Sequence, residues 1–140
     1  MIHQPRHYQI EELVPESLYR AYPDREKLWL CFDGRLIWTI DALRKRFGKM
    51  VVNTWNQGGP FQYRGFRPWE IAVGSPFSQH KFGRAADLVP SFITAEEIRS
   101  HILSHPDLDE YKFIRCIEAG VSWLHIDVRS WLGPILVVNP

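Results

Sequence analysis

Two stretches of the chain carry the residues that decide its fold and its chemistry. Residues 78–87 have the sequence SQHKFGRAAD, and residues 122–129 have the sequence SWLHIDVR. His80 and Asp87 are about 24 Å apart in a fully extended chain, so they can share one ion only if the chain folds back between them. Gly83 permits such a bend because glycine tolerates positive φ. We therefore expect a turn at Gly83 that brings His80 and Asp87 together.

The second stretch predicts a strand with one polar face. Because alternate side chains of a strand point to the same side, Trp123, His125 and Asp127 share a face, and the residues between them are aliphatic. His80, Asp87 and His125 offer two imidazole nitrogens and one carboxylate oxygen, and three such ligands leave a fourth position for water, as in catalytic zinc sites. Asp127 is expected to orient an imidazole from outside the ligand set.

These motifs resemble those of the zinc D-alanyl-D-alanine carboxypeptidase family. Its members carry Ser-x-His-x-x-Gly-x-Ala-x-Asp followed by a strand with Trp-x-His, and here the two motifs begin at Ser78 and Trp123. The longer run Trp-x-His-x-Asp-x-Arg is similar to that of short, phage-associated members. Residues 65–67, Gly-Phe-Arg, resemble the family's Gly-Tyr-Arg element. The resemblance spans residues 65–129 and implies an α+β fold of the Hedgehog/DD-peptidase type, with N-terminal helices packed on an antiparallel sheet.

The same resemblance implies a Zn²⁺ cofactor and hydrolysis of peptidoglycan stem peptides. Such a reaction needs a general base that takes a proton from water. Several relatives place Glu three residues before the last His ligand, a position that is Ser122 here. An even-length turn in the predicted hairpin places Glu118 on the same face as His125. Glu118 is therefore the predicted base, and Glu70 is the alternative.

Three further residues are expected to contact substrate. Arg67 would stabilise the oxyanion or hold a substrate carboxylate, with Arg64 as the nearby alternative. Ser78 would hydrogen-bond the substrate, or it would merely close a turn. Trp123 would form the floor of the cleft, or it would belong to the core.

Local end signals predict two helices. Residues 33–48 contain an N-cap aspartate, an apolar stripe at helical spacing and a terminal glycine. Residues 94–97 form a capping box that begins a second helix, which ends near Ser104. His101 and His105 on this helix lack the Glu of a His-Glu-x-x-His motif, so we expect them on a solvated face.

The remaining elements are shorter. A helix is expected over residues 11–19, with Pro15 as a break near its middle. Residues 57–78 show neither helical nor strand periodicity, and a stretch of this length without regular structure is usually functional. Strands are expected over residues 50–55, 85–89, 112–118, 123–129 and 135–138, of which the third and fourth form a hairpin. Helices that come first and strands that cluster late favour an α+β fold with an antiparallel sheet.

Composition narrows the class of protein further. The chain has 140 residues, of which 45% are hydrophobic and 24% charged, as expected for one domain over residues 1–140. A net charge of +1 argues against a nucleic-acid partner. The longest apolar run, residues 135–138, is far short of the ~20 residues of a membrane span. The N-terminal residues lack the apolar core of a secretory signal. We expect a monomer synthesised in the cytoplasm, with release or virion association giving access to a cell-wall substrate.

Two functions remain at this point. The first is a zinc-dependent D,D-carboxypeptidase or endopeptidase acting on a peptidoglycan peptide, and an L-alanyl-D-glutamate endolysin differs from it only in the bond cut. The alternative is a non-catalytic zinc-containing binding or virion assembly module on the same fold, which Ser122 at the usual Glu position favours.

Overall fold

A computed structural model describes residues 1–140 of the chain. It contains three α-helices, α1 (Glu16–Ala21), α2 (Gly34–Phe47) and α3 (Ala95–Ser104). It also contains five strands, β1 (Met50–Val51), β2 (Ala85–Pro90), β3 (Cys116–Glu118), β4 (Leu124–Asp127) and β5 (Leu136–Val138). Short 3-10 helices cover Ile10–Glu12, Arg25–Cys31, Trp55–Gln57, Gln79–Phe82 and Asp109–Tyr111. None of the helices is both long enough and apolar enough to cross a bilayer.

The two longer helices begin and end where their cap residues predict. The Asp33 side chain accepts a hydrogen bond from the backbone N–H of Arg35 at 2.9 Å, and α2 stops at Gly48, whose φ is +87°. Thr94 and Glu97 form the reciprocal capping box of α3. The helix expected over residues 11–19 is interrupted by Pro15, which becomes the N-cap residue of α1.

The five strands form one mixed sheet in the order β1-β2-β4-β3-β5. The first three pairings are antiparallel, but β5 pairs with β3 in parallel. The expectation of a purely antiparallel sheet is therefore wrong for the last strand. The chain reverses direction after β4, as in a hairpin, yet β5 lies beyond β3 instead of beside β4. The strand expected over residues 50–55 is limited to Met50–Val51, since the backbone N–H of Asn53 donates to the carbonyl of Glu12 outside the sheet and a 3-10 helix begins at Trp55.

The two faces of the sheet have different roles. Ala86 and Leu88 of β2, Ile117 of β3, and Leu124 and Ile126 of β4 are buried in the core cluster, which also contains the apolar stripes of α2 and α3. Side chains at the alternate positions of the same strands point to the opposite face. The helices therefore cover one face of the sheet and leave the other for the polar residues of β2, β3 and β4.

Candidate metal centre

The sheet and the turn before it bring His80, Asp87 and His125 together. Asp87 of β2 and His125 of β4 are direct cross-strand partners. His80 lies in the 3-10 helix Gln79–Phe82, which Gly83 and Arg84 connect to β2. One ligand atom from each of the three side chains lies within 4.8 Å of the other two. This group could hold a metal ion, as its ligand set predicts.

The expected turn at Gly83 is present. Gly83 has a φ of +67°, in the left-handed region that side chains disfavour. A Cβ atom at this position would also overlap the backbone carbonyl of Cys31. The turn therefore requires glycine both for its conformation and for the close approach of a neighbouring segment.

A Gly83→Ala substitution should consequently destabilise the protein by at least about 2 kcal/mol, because strain and steric overlap act together. Chemical denaturation measures this loss. Gly58 has a φ of +83°, but no atom lies within 4 Å of the Cβ that alanine would add, so Gly58→Ala should cost less. Equal losses at the two glycines would show that the contact with Cys31 is unimportant.

The hydrogen bonds of His80 fix the orientation of its ring. Nδ1 lies 2.8 Å from the carbonyl oxygen of Gly65, which can only accept, so Nδ1 carries the proton. Nε2 then faces Asp87, whose Oδ2 is 3.3 Å away. Two ligands at 2.0–2.1 Å from a tetrahedral ion are separated by about 3.3 Å. The spacing of His80 and Asp87 therefore fits a shared ion.

His125 is surrounded by carboxylates. Its Nε2 lies 2.9 Å from Oδ2 of Asp127, which is fully buried and receives two hydrogen bonds from the Arg129 guanidinium at 2.7 and 2.8 Å. Its Nδ1 lies 2.8 Å from Asp87 and 2.9 Å from Glu118. Asp127 thus fixes the orientation of the His125 ring through Nε2, while Nδ1 points towards the carboxylates of Asp87 and Glu118.

The charges of this network shift its pKa values. Burial lowers the pKa of His125, but hydrogen bonds to Asp127, Asp87 and Glu118 outweigh it and raise the pKa well above its ordinary value. Burial raises the pKa of Asp127 and Asp87, yet hydrogen bonds from Arg129 to Asp127 and from the His125 ring to both carboxylates hold both values below the ordinary range. In the metal-free protein these groups therefore form an imidazolium–carboxylate cluster.

A divalent ion must displace the Nδ1 proton of His125, since a nitrogen ligates only without its proton. Because the pKa of His125 lies well above its ordinary value, metal affinity should rise with pH through and beyond the range in which a free histidine titrates, until the raised pKa is passed. Calorimetry in buffers of different ionisation enthalpy measures the protons released on binding. Metal binding that is independent of pH and releases no proton would contradict a ligand role for His125.

Glu118 lies on the face of the sheet that its predicted turn parity requires. It ends β3, where the register of Ile117 with Ile126 places it level with His125. Its carboxylate does not belong to the group of three whose ligand atoms lie mutually within 4.8 Å. Glu118 therefore lies next to the His80-Asp87-His125 group without being part of it. The alternative base, Glu70, is exposed and does not line the cleft around this group.

His80, Asp87, Glu118 and His125 line one cleft, called here the metal cleft, which has a volume of about 610 Å³. Arg67 and Trp123 also line it. Arg67 is 7% exposed and donates hydrogen bonds to the carbonyl of Val73 at 3.0 Å and to the Ser78 hydroxyl at 3.2 Å, while its Nε has no partner. Burial lowers the pKa of Arg67, although Asp87 and Glu118 oppose that effect.

Ser78 and Trp123 both lie at the cleft, Ser78 in the turn-closing role expected as its alternative and Trp123 outside the core cluster. The Ser78 hydroxyl caps the 3-10 helix by accepting from the backbone N–H of His80, so it closes a turn at the edge of the cleft. Trp123 is half-buried, lines the cleft and leaves its buried Nε1 without a partner. The structure therefore places both at the site, with Ser78 already engaged by the protein.

Sequence reasoning missed one positioning residue and misjudged one histidine. Arg99 of α3 is buried and donates to the carbonyls of Trp123 at 2.8 Å and Val121 at 2.7 Å, so it holds the segment that leads into β4. No local pattern distinguishes it from a solvated helix arginine. The expectation of a solvated face is wrong for His101, which is half-buried and hydrogen-bonded to the Tyr111 hydroxyl at 2.7 Å.

Comparison of the chain with protein-family models, with curated proteins and with solved structures finds no match. The fold and the site define a small α+β protein with a mixed five-stranded sheet. On its open face, a cleft contains a His-Asp-His group that could hold a metal ion.

Proposed function

We propose that this protein is a zinc-dependent peptidase of the D-alanyl-D-alanine carboxypeptidase family, with a fold of the Hedgehog/DD-peptidase type. Its substrate would be a peptidoglycan stem peptide, cut by D,D-carboxypeptidase or endopeptidase action. The observation that supports this proposal is the convergence of His80, Asp87 and His125 beside Glu118 in one cleft. The sequence resemblance of residues 65–129 supports the same class.

Zinc suits the donor set. Two imidazole nitrogens and one carboxylate oxygen from His80, His125 and Asp87 are ligands that catalytic zinc uses, with a coordination position left for solvent. When bound, the ion would polarise the scissile carbonyl and make a water molecule more acidic. Asp127 and Arg129 would keep the His125 ring in place from behind.

The remaining residues of the cleft would act on the substrate directly. The Glu118 carboxylate would accept a proton from the attacking water and pass it to the leaving amine. Arg67 would donate to the oxygen on which negative charge develops, and its buried position with an unpartnered Nε makes it a pre-organised cation. Trp123 would form a wall against which the peptide lies.

A direct test uses the purified protein with Zn²⁺ and a set of defined muropeptides. The expected result is release of D-alanine or cleavage of a cross-linked peptide, and loss of both when zinc is removed with a chelator. Restoration by added Zn²⁺ would show that the ion is required. A zinc-loaded protein that cleaves none of these peptides would contradict the proposal.

The non-catalytic module remains the second candidate, since Ser122 replaces the usual Glu and is exposed to solvent. A zinc-loaded protein that cleaves no cell-wall peptide but is retained by a virion component would favour this alternative. Both functions require the same metal group, so zinc content alone does not separate them.

A further inference from the structure

The two edges of the sheet differ in how they are covered. At one edge, the carbonyl of Met50 in β1 accepts a hydrogen bond from the Tyr8 hydroxyl at 3.2 Å. The N–H of Asn53, just after β1, donates to the carbonyl of Glu12 at 2.9 Å. At the other edge, β5 is the last strand in the order β1-β2-β4-β3-β5 and has no neighbour beyond it. An extended partner can therefore add to the sheet at β5 and not at β1.

Alternate residues of β5 direct their backbone groups to opposite sides. The N–H of Leu136 donates to the Arg115 carbonyl at 2.9 Å. The carbonyl of Val138 accepts from the Ala119 N–H at 2.8 Å. Even-numbered positions therefore bond to β3, with which β5 pairs in parallel. Val137 lies between them and directs its N–H and its carbonyl away from β3, to the open side.

The two prolines next to β5 leave this open side intact. Proline interrupts strand pairing because it has no N–H to donate. Pro134 and Pro140 occupy even-numbered positions, however, which face β3. The odd-numbered positions are Ile135, Val137 and Asn139, and each of them keeps its N–H. The outer side of β5 therefore presents an uninterrupted row of donors and acceptors.

The same segment lacks the charges that usually protect an edge strand. No charged residue occurs from Ser130 to Pro140, whereas natural edge strands commonly carry lysine. Val137 is 49% exposed, and Leu132 in the loop before β5 is fully exposed. An uncharged and apolar strand edge with free backbone groups is the kind of surface that pairs with another strand.

A second copy of β5 matches this edge. In antiparallel pairing, a residue with an outward N–H and carbonyl exchanges two hydrogen bonds with the residue opposite. When Val137 lies opposite Val137 of the second copy, Ile135 and Asn139 lie opposite each other on both sides of the two-fold axis. This register allows about six main-chain hydrogen bonds. Two uncharged edges also meet without burying or repelling a charge.

We propose that the protein forms a two-fold symmetric dimer in which β5 pairs antiparallel with β5 of a second copy, so that one continuous sheet crosses both chains. The dimer is closed, because β5 is used by the contact and the β1 edge of each chain is covered. The protein is then a dimer instead of the monomer expected from its sequence.

This dimer extends the metal cleft. Val138 lines the cleft and pairs in register with Glu118 of β3. Leu136 of the second copy lies directly opposite Val138 on the same face of the sheet, so it adds an apolar side chain to the cleft wall. Because the two-fold axis is perpendicular to the sheet, both clefts open on one face. The two His125 residues are separated by five strand spacings, or about 24 Å.

Sedimentation equilibrium and amide hydrogen exchange of the full chain test the dimer. At about 100 µM the expected mass is twice the 16.5 kDa of one chain, falling towards 16.5 kDa on dilution. The Val137 amide should exchange more slowly as the dimer forms, since its N–H has no partner within one chain. Val137→Pro should abolish both effects, because it removes an outward N–H and leaves the bonds to β3 in place.

A pair of charge variants tests the register. Val137→Lys and Val137→Glu each place like charges opposite each other, so each variant alone should sediment as a monomer. An equimolar mixture of the two should recover the mass of the dimer, since opposite charges then face each other across the axis. Leu103→Lys is the matched control, because Leu103 is 44% exposed but lies on α3, and this variant should remain a dimer.

Several results would overturn the proposal. A wild-type chain that stays monomeric at about 100 µM would do so, and so would a dimer that persists in folded Val137→Lys and Val137→Glu. Charge variants that fail to recover on mixing would exclude the two-fold register. Growth of the wild-type chain into fibrils would show that the contact does not close. A monomer whose Val137 amide is protected only by an added extended peptide would assign the edge to a ligand. If Val137→Pro does not fold by circular dichroism, the charge variants decide, since residue 137 is half-exposed.

Discussion

Replacing Glu118 by Gln is expected to lower kcat for peptide hydrolysis by about 10²- to 10⁴-fold, the usual contribution of a general base. Glutamine keeps the size of the side chain but cannot take a proton from water. Zinc should remain bound, because Glu118 lies outside the group of three whose ligand atoms converge. The measurement is kcat for D-alanine release together with zinc content after dialysis.

Two other glutamates provide controls for this prediction. Glu110 is remote from the cleft and accepts a hydrogen bond from Arg46 at 3.0 Å, so Glu110→Gln should leave kcat unchanged. Glu70→Gln tests the alternative base. Full activity in Glu118→Gln with a large loss in Glu70→Gln would move the role of base to Glu70 and remove the mechanistic importance of the contact between Glu118 and His125.

The helices could be predicted because their end signals are local. The cap of α2 joins Asp33 to a backbone N–H two residues away, and the capping box of α3 involves only residues 94–97. Such contacts depend little on the rest of the fold. The orientation of β5 depends instead on where the chain goes after β4, which no local pattern records. Its parallel pairing with β3 was therefore not predictable.

The candidate site was also predictable only where local sequence decides its geometry. The period of two in a strand determines the face on which Glu118 lies, and this part of the prediction is correct. The residue of β4 that lies opposite Glu118 depends instead on the length of the connection between β3 and β4. The observed register places Glu118 level with His125. Arg99 and the half-buried His101 owe their environments to contacts 10 to 24 residues away in sequence, beyond the reach of periodicity.

Replacing His80 by Ala is expected to weaken zinc binding by more than about 100-fold, because loss of even an outer partner of a ligand costs 10- to 100-fold. Peptide hydrolysis should fall with the loss of the ion. His101→Ala is the matched control, since His101 also forms a hydrogen bond, to Tyr111, but lies away from the cleft. Competition with a chelating dye measures affinity, and circular dichroism shows whether each variant folds. A folded His80→Ala protein that keeps both zinc and full activity would place the ion elsewhere, because Asp87 and His125 alone leave too few protein ligands for a catalytic zinc site.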